Sequence, residues 1–298
     1  MEMKKNGTSY AVQAVLIGVL LFLSLTMIIP VLNIFAKSIS DPKQSPLMKG
    51  LEILPRGMDF INYKIVFSHP VLVPALWNSV LITVIGTALN ILLTTTAAYV
   101  LTRPRLTLKK PIMLFLIAMM LLDSGFVPEY LVVQRLGLMG SKWAVILVTA
   151  VNVYYLIIMM RYFEQVPQSL VEAAVIDGCS HIRMLFSVFF PLAKSGVATI
   201  TMFYSVVRWN EYFRASIYLT KKTTDTVLQV ILRQFVVLGD TVSIIGQQNL
   251  YDYNELARID YGALKAATIV VAVIPILILY PFVLKFYNKD VMAGGIKE

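Results

Sequence analysis

The sequence predicts an all-α integral membrane protein with six transmembrane helices, and three observations carry that prediction. Of the 298 residues, 58% are hydrophobic and 14% charged, whereas soluble domains carry roughly 25% charged residues. The mean hydropathy is +0.74. Apolar runs at 11–36, 71–101, 112–133, 143–163, 197–219 and 263–286 each approach the roughly 20 residues that a helix needs to cross a hydrocarbon core about 30 Å thick. Nothing in the segments between them repeats at solenoid length or shows low complexity. The chain therefore reads as one membrane domain over 11–286, with tails at 1–10 and 287–298.

The first run follows Lys4 and Lys5 and so has the basic front of a signal peptide, but it exceeds the roughly 7–15 apolar residues of such a segment. It reads as a retained first span. Residues 103–110 carry Arg103, Arg105, Lys109 and Lys110 without an acid, which places that loop in the cytoplasm. Six crossings then put both termini and 164–194 inside, and 37–70 and 220–262 outside. The outer loops also hold Lys37, Lys43, Lys49, Lys221 and Lys222; long loops obey the charge rule poorly, so the orientation rests on 103–110. In the second span Gly86, Asn90 and Thr94 recur at every fourth residue, with Thr95 to Ala98 beyond, the pattern of a close helix-packing face. Leu228, Ile231, Leu232 and Phe235 keep helical spacing in the last outer loop, which predicts a short amphipathic helix there.

The composition also excludes functions. The net charge of +9 comes from basic residues scattered between apolar runs, a distribution suited to anionic headgroups and not to nucleic acid. One cysteine, Cys179, allows no intrachain disulfide or cysteine-based zinc site, and His69 and His181 stand far apart. No Gly-rich loop ending in Lys-Ser/Thr is present to cradle a nucleotide, and the commonest serine and zinc hydrolase signatures are missing. An enzyme is not expected, since no nucleophile or metal site can be placed, and no cofactor of the chain's own is expected.

Residues 164–194 are too long for a tight turn and too amphipathic for a linker. Pro167 suits an early helical position because its missing amide donor is not needed there, and Asp177-Gly178 offers a break. Two short helices follow, forming a hairpin on the cytoplasmic face. The first presents Leu170, Ala173, Ala174 and Ile176 around Glu172, small enough for another protein's groove to approach the backbone.

Glu172-Ala173-Ala174, Asp177-Gly178 and Pro191-Leu192 together resemble the Glu-Ala-Ala loop of binding-protein-dependent ABC importer permeases. Gly125, Pro128-Glu129-Tyr130-Leu131, Trp209-Asn210 and Tyr280-Pro281-Phe282 are similar to the carbohydrate branch, in particular the MalG-like second permease of oligosaccharide importers. Cys179 stands where alanine is usual, Leu185 where phenylalanine is common, and Asp123-Ser124 where small uncharged residues are usual. The resemblance implies a type I ABC importer permease bundle with a cytoplasmic coupling-helix hairpin and a family-like core over about 75–282. Glu172, Ala173, Ala174, Asp177, Gly178 and Pro191 would couple it to an ATPase. The implied partners are a second homologous permease, two ATP-binding subunits and an external carbohydrate-binding protein, in the cytoplasmic membrane of a prokaryote. ATP would be bound by the partners alone. The loop 220–262 would contact the binding protein, and the tail from Gly294 the ATPases.

Arg208, Asn210, Glu211 and Arg214 fall in the fifth run, where an ionisable group at bilayer centre costs roughly 2.5–3.5 kcal/mol on insertion scales. Spacing of three would put Arg208, Glu211 and Arg214 on one helix face as an alternating chain. Two readings stand: the face lines an outward-opening cavity for sugar hydroxyls, or it is a salt-bridge ladder inside the bundle. Trp209 and Tyr212 on neighbouring faces would stack on sugar rings or sit in an interfacial belt. Asp123 precedes Gly125 and Pro128, which can interrupt the third helix; it lines the pathway or bonds freed backbone amides. The substrate-pathway candidates are thus Asp123, Arg208, Trp209, Asn210 and Glu211. The competing functions are an amino-acid or peptide ABC permease and an ATP-independent secondary transporter, the latter without a visible inverted repeat.

Overall fold

The computed structural model describes residues 7–104, 106–122, 125–220, 225–239 and 260–294, with backbone alone at 7–9, 11, 279 and 282–294. Every regular element among them is helical. Val12–Ser38, Leu72–Leu101 and Tyr261–Ile278 are each long and apolar enough to cross a membrane unbroken. Two further spans are pairs of helices, Lys109–Leu121 with Phe126–Arg135 and Lys142–Val148 with Val153–Glu164 at 55°, and the remaining one begins as Lys194–Trp209, which His181–Leu192 meets at 89°.

Each break has a local cause. Gly125 takes φ +73° and ψ 176°, a region open to glycine and closed to side chains, and Pro128 follows within the first turn, where no amide donor is needed. This is the interruption that the sequence places there. The fourth and fifth runs, expected to be continuous over 143–163 and 197–219, are corrected. The fourth stops at Thr149 and restarts after Asn152, whose extended backbone lets its Oδ1 accept from Tyr155 N at 3.1 Å, satisfying an otherwise orphaned first-turn donor. The fifth runs Lys194–Trp209, ends at Asn210 and resumes as Phe213–Tyr218.

The chain divides into two compact units, 1–72 with 232–273 and 73–231 with 274–298. In the first, Asp260 caps the last long helix, Tyr261–Gly294: its carboxylate accepts from Gly262 N at 2.9 Å and Ala263 N at 3.2 Å. The same carboxylate accepts from the Ser45 hydroxyl and lies 4.0 Å from Lys37 Nζ. His69 Nδ1 accepts from Val71 N at 3.2 Å and Leu72 N at 3.3 Å, capping the second long helix. That role needs a neutral ring, and burial pushes the His69 pKa down.

Among the described residues the second unit holds two apolar clusters. One gathers Tyr99, Leu156, Met159, Phe163, Val171, Met184, Phe189, Ile200 and Tyr204; the other gathers Ile82, Val133, Val145, Ala215 and Tyr218. The predicted amphipathic helix forms as Leu228–Leu232 and continues as a wider turn through Arg233–Val237, burying Leu228, Ile231 and Phe235. Gly196 lets the fifth span meet the fourth, since a Cβ there would stand 2.3 Å from Tyr162 Cγ. Gly196→Ala should therefore destabilise the protein by about 1–3 kcal/mol through overpacking. Gly18→Ala, with nothing within 4 Å of the added carbon, should leave the detergent-solubilised protein's Tm unchanged or raised, and thermal unfolding of the two variants checks the contrast.

Candidate functional site

The hairpin after the fourth span is built by three local devices. Pro167, at φ −58° and ψ 129°, forms the cap that starts Gln168–Ile176. At the other end Gly178 adopts φ +70°, its N–H bonds to Val175 O at 3.0 Å, and Cys179 N bonds to Ala174 O at 2.9 Å. This is the reverse turn that glycine makes after a helix, and it closes the orphan carbonyls. Ser180 then caps the next helix, its Oγ accepting from Arg183 N at 3.4 Å. Within that second arm, His181–Met184 widens into a π-turn over Leu185–Phe189 before Phe190–Leu192. Pro191 lacks the N–H that would close the next ordinary ring, which favours the wider register. After Ala193 the chain turns by 89° into Lys194–Trp209.

The end of the second span clamps this hairpin. Arg103 places its guanidinium 4.4 Å from the ring centres of both Tyr99 and Phe189 and donates from Nε to Tyr99 O at 3.3 Å. Burial lowers the Arg103 pKa from its ordinary value. The Tyr99 hydroxyl shares a 2.8 Å hydrogen bond with His181 Nδ1. Val171, Met184, Leu185 and Phe189 are buried beneath, while Leu170, Val175, Ile176 and Ile182 remain exposed, Ile176 at 85%. A groove of about 910 Å³ lies beside the first arm, bounded by Arg103, Leu106, Glu172, Ile176 and His181 among others. Of the residues expected to couple, Glu172, Ala173, Asp177, Gly178 and Pro191 are exposed and Ala174 is half-buried. All six lie on this one hairpin.

Deeper in the same unit, the break in the fourth span is held by side chains. Arg208, only 4% exposed, donates to Val145 O and Ile146 O, each at 2.6 Å, and to Asn90 Oδ1 at 2.8 Å. Asn90 Nδ2 donates to Thr149 O at 3.2 Å, and Asn152 N donates to the Tyr204 hydroxyl at 3.0 Å. Thr94 and Tyr204 share a 2.8 Å hydrogen bond. Gly86 admits the guanidinium, since a Cβ there would stand 2.9 Å from Arg208 Nε. The Gly86, Asn90 and Thr94 face is therefore a packing face, as its spacing predicts.

The expected Arg208–Glu211–Arg214 chain is corrected: the helix ends at Asn210, so the three do not share one continuous face. Arg214 instead grips Glu129 with both ends of its fork, at 2.8 and 2.9 Å, and reaches Glu211 at 3.1 Å. Tyr218 donates to Glu129 at 2.7 Å. Glu129 is the partner that spacing arguments missed; its signal was a carboxylate within an apolar run, which needs a partner. Trp209 is buried against a small apolar cavity of about 130 Å³. Asn210 is exposed and bonds Val206 O at 2.9 Å. Asp123 lies outside the described residues, as do 240–259 of the last outer loop and 295–298 of the tail.

Braced helix breaks and an amphipathic hairpin continuous with an apolar helix define a class: an all-helical, multi-pass membrane protein. The chain belongs to the family of binding-protein-dependent transport system inner membrane components, whose model matches residues 19–292. It is 35% identical over 280 residues to the polygalacturonan/rhamnogalacturonan transport system permease protein YtcP of Bacillus subtilis, covering 94% of this chain and 96% of that protein. The melibiose/raffinose/stachyose import permease protein MelC of the same organism is 27% identical, with 82% and 83% covered. A solved bacterial ABC transporter involved in the import of the acidic polysaccharide alginate superposes with a TM-score of 0.87 at 27% identity, covering 96% of this chain and 100% of that one. The fold is thus that of a type I ABC importer permease.

Removing the arginine fork tests the brace. Arg208→Met leaves two carbonyls and an amide oxygen without their donor and should cost about 3 kcal/mol, read as a lowered Tm. Arg208→Lys should recover only part of it, because an ammonium cannot span the three acceptors as a planar fork does.

Proposed function

We propose that this chain is the permease subunit of an ATP-driven, binding-protein-dependent importer of carbohydrate, with an oligosaccharide as cargo, in the cytoplasmic membrane of a prokaryote. It pairs with a second, different permease subunit to form the pathway, stands on two ATPase subunits, and receives cargo from an external carbohydrate-binding protein. It binds no ATP itself. The observation that carries the reading is the exposed, glycine-reversed hairpin clamped by Arg103 and Tyr99 and continuous with a membrane helix. The cargo class follows the relatives, which are named for saccharides.

The mechanism needs a packed bundle with two arrangements, biased at the hairpin by whichever ATPase state binds it more tightly. ATP closes the ATPase pair and draws the hairpins together. Because the second arm joins Lys194–Trp209 through Ala193, displacement of the hairpin tilts that span. The pathway then opens outward to accept cargo, and hydrolysis resets it. Glu172, Ala173, Ala174, Asp177, Gly178 and Pro191 serve the docking. Asn210 and Glu211, at the helix break, are the side chains best placed to meet cargo; Arg208 and Trp209 support them from the interior, and Asp123 is assigned to the same pathway.

Glu172→Lys reverses the charge on the docking arm, and Gly178→Val forces a branched side chain into positive φ. In the reconstituted full complex, both should lower carbohydrate-stimulated ATP hydrolysis by at least about tenfold, equivalent to roughly 1.4 kcal/mol of lost coupling; Glu172→Lys, on an exposed position, should do so with the permease's Tm unchanged, whereas Gly178→Val should also lower Tm through backbone strain. Wild-type stimulation in both would remove the hairpin from the coupling route. Uptake that persists in vesicles lacking the ATPase subunits would favour an ATP-independent transporter, and isolation of the binding protein with an amino acid or peptide bound would reassign the cargo.

A further inference from the structure

The loop that follows the first span carries an apolar surface that the proposed function does not use. Leu47, Leu51, Ile53, Leu54, Met58 and Phe60 are between 50% and 77% exposed. A compact external loop that only met water would not present so many large apolar side chains so close together.

Its hydrogen bonds fix where this surface sits. Both ends of the loop are tied near the end of Gly7–Ser38: Asp41 N donates to Arg56 O at 3.2 Å, and Arg56 N donates to Ser40 Oγ at 3.1 Å. The middle is tied lower down. Asn33 Nδ2, inside the helix, donates to Lys49 O at 3.1 Å and Glu52 O at 2.6 Å. Asn33 precedes Ser38 by five residues, about 7.5 Å of helix rise, so the middle of the loop hangs back down alongside the span. Val12 to Asn33 measures about 32 Å at the same rise, close to the roughly 30 Å thickness of a hydrocarbon core. The loop's middle therefore reaches the boundary between headgroups and acyl chains. Its charges suit that depth. Arg56 grips Glu52 with two bonds of 2.8 Å, and Lys49 N donates to the same carboxylate at 3.1 Å, while the long Lys49 stem lets its ammonium reach water.

We infer that residues 47–54 form an interfacial wedge that inserts Leu47, Leu51, Ile53 and Leu54 into the membrane leaflet at the carboxyl end of the first span, its partner being phospholipid and not protein. The wedge fixes how deep that helix sits and shields the Asn33 tether from water. A side chain at the acyl boundary meets dissolved oxygen readily and is screened from water-soluble paramagnets.

The test places nitroxide labels singly at Leu51→Cys, Leu54→Cys and Lys43→Cys in a Cys179→Ser background, in the full transporter complex reconstituted into phospholipid nanodiscs. All three sites are exposed, so labelling should leave the fold intact, which unchanged Tm verifies. At 51 and 54 the ratio of oxygen to nickel-chelate collision rates should be severalfold higher than at 43. Nickel accessibility equal to that at 43 would place the loop in water and overturn the proposal. Protection from both reagents at 51 and 54 would mean a protein covers the loop and would equally overturn it. The readout depends on no transport activity, so its failure is separate from failure of the proposed function.

Discussion

Inside a hydrocarbon core there is no water to take up a free backbone amide or carbonyl, so every departure from a continuous helix must be satisfied by the protein itself. This chain breaks several of its spans and meets that requirement by different means. At Gly125 the backbone conformation reserved for glycine re-aims the chain. At 145–152 the Arg208 fork takes two carbonyls, Asn90 takes a third, and the Tyr204 hydroxyl accepts the Asn152 amide. A charge that would be costly in lipid is held by backbone dipoles that would themselves be costly if left unpaired.

The brace and the hairpin occupy opposite ends of one element. Lys194–Trp209 spans 16 residues, about 24 Å, with the hairpin bend at Ala193 below and Arg208 one residue from its other end. Under the proposed function, motion imposed at the first end would reach the broken fourth span through this helix and the buried guanidinium. Beyond Asn210 the chain passes to the Glu129–Arg214–Glu211 cluster, where a second arginine joins the broken third span to Phe213–Tyr218. The two arginines thus have separate tasks, one bonded to backbone and one to carboxylates.

The sequence made the spans, the hairpin and its reversal at Asp177-Gly178 legible, because hydropathy, a glycine beside an amphipathic run and a motif at fixed offsets are local signals. The packing face at Gly86, Asn90 and Thr94 was legible for the same reason, through its four-residue period. The break at Thr149 to Asn152 was not, since it holds neither glycine nor proline and is stabilised by residues some 60 positions away in the chain, such as Asn90 to Thr149. Once that tertiary support is unseen, an apolar run reads as unbroken helix. The same assumption of continuity put Arg208, Glu211 and Arg214 on one face, when Asn210 ends the helix between them. Arg103 was legible as a charge that orients a loop, but not as the filling between Tyr99 and Phe189, because the second ring comes from the hairpin.

The central claim is that the hairpin passes the nucleotide state of a partner to the membrane bundle. It is tested most directly by replacing Val175 with a photo-crosslinking residue and irradiating intact cells that express the complete transporter. A crosslink to the ATPase subunit whose yield changes between nucleotide-free and ATP-trapped states is the expected result. Crosslinking to lipid alone, or modification of the same position by a membrane-impermeant reagent added outside the cells, would contradict it.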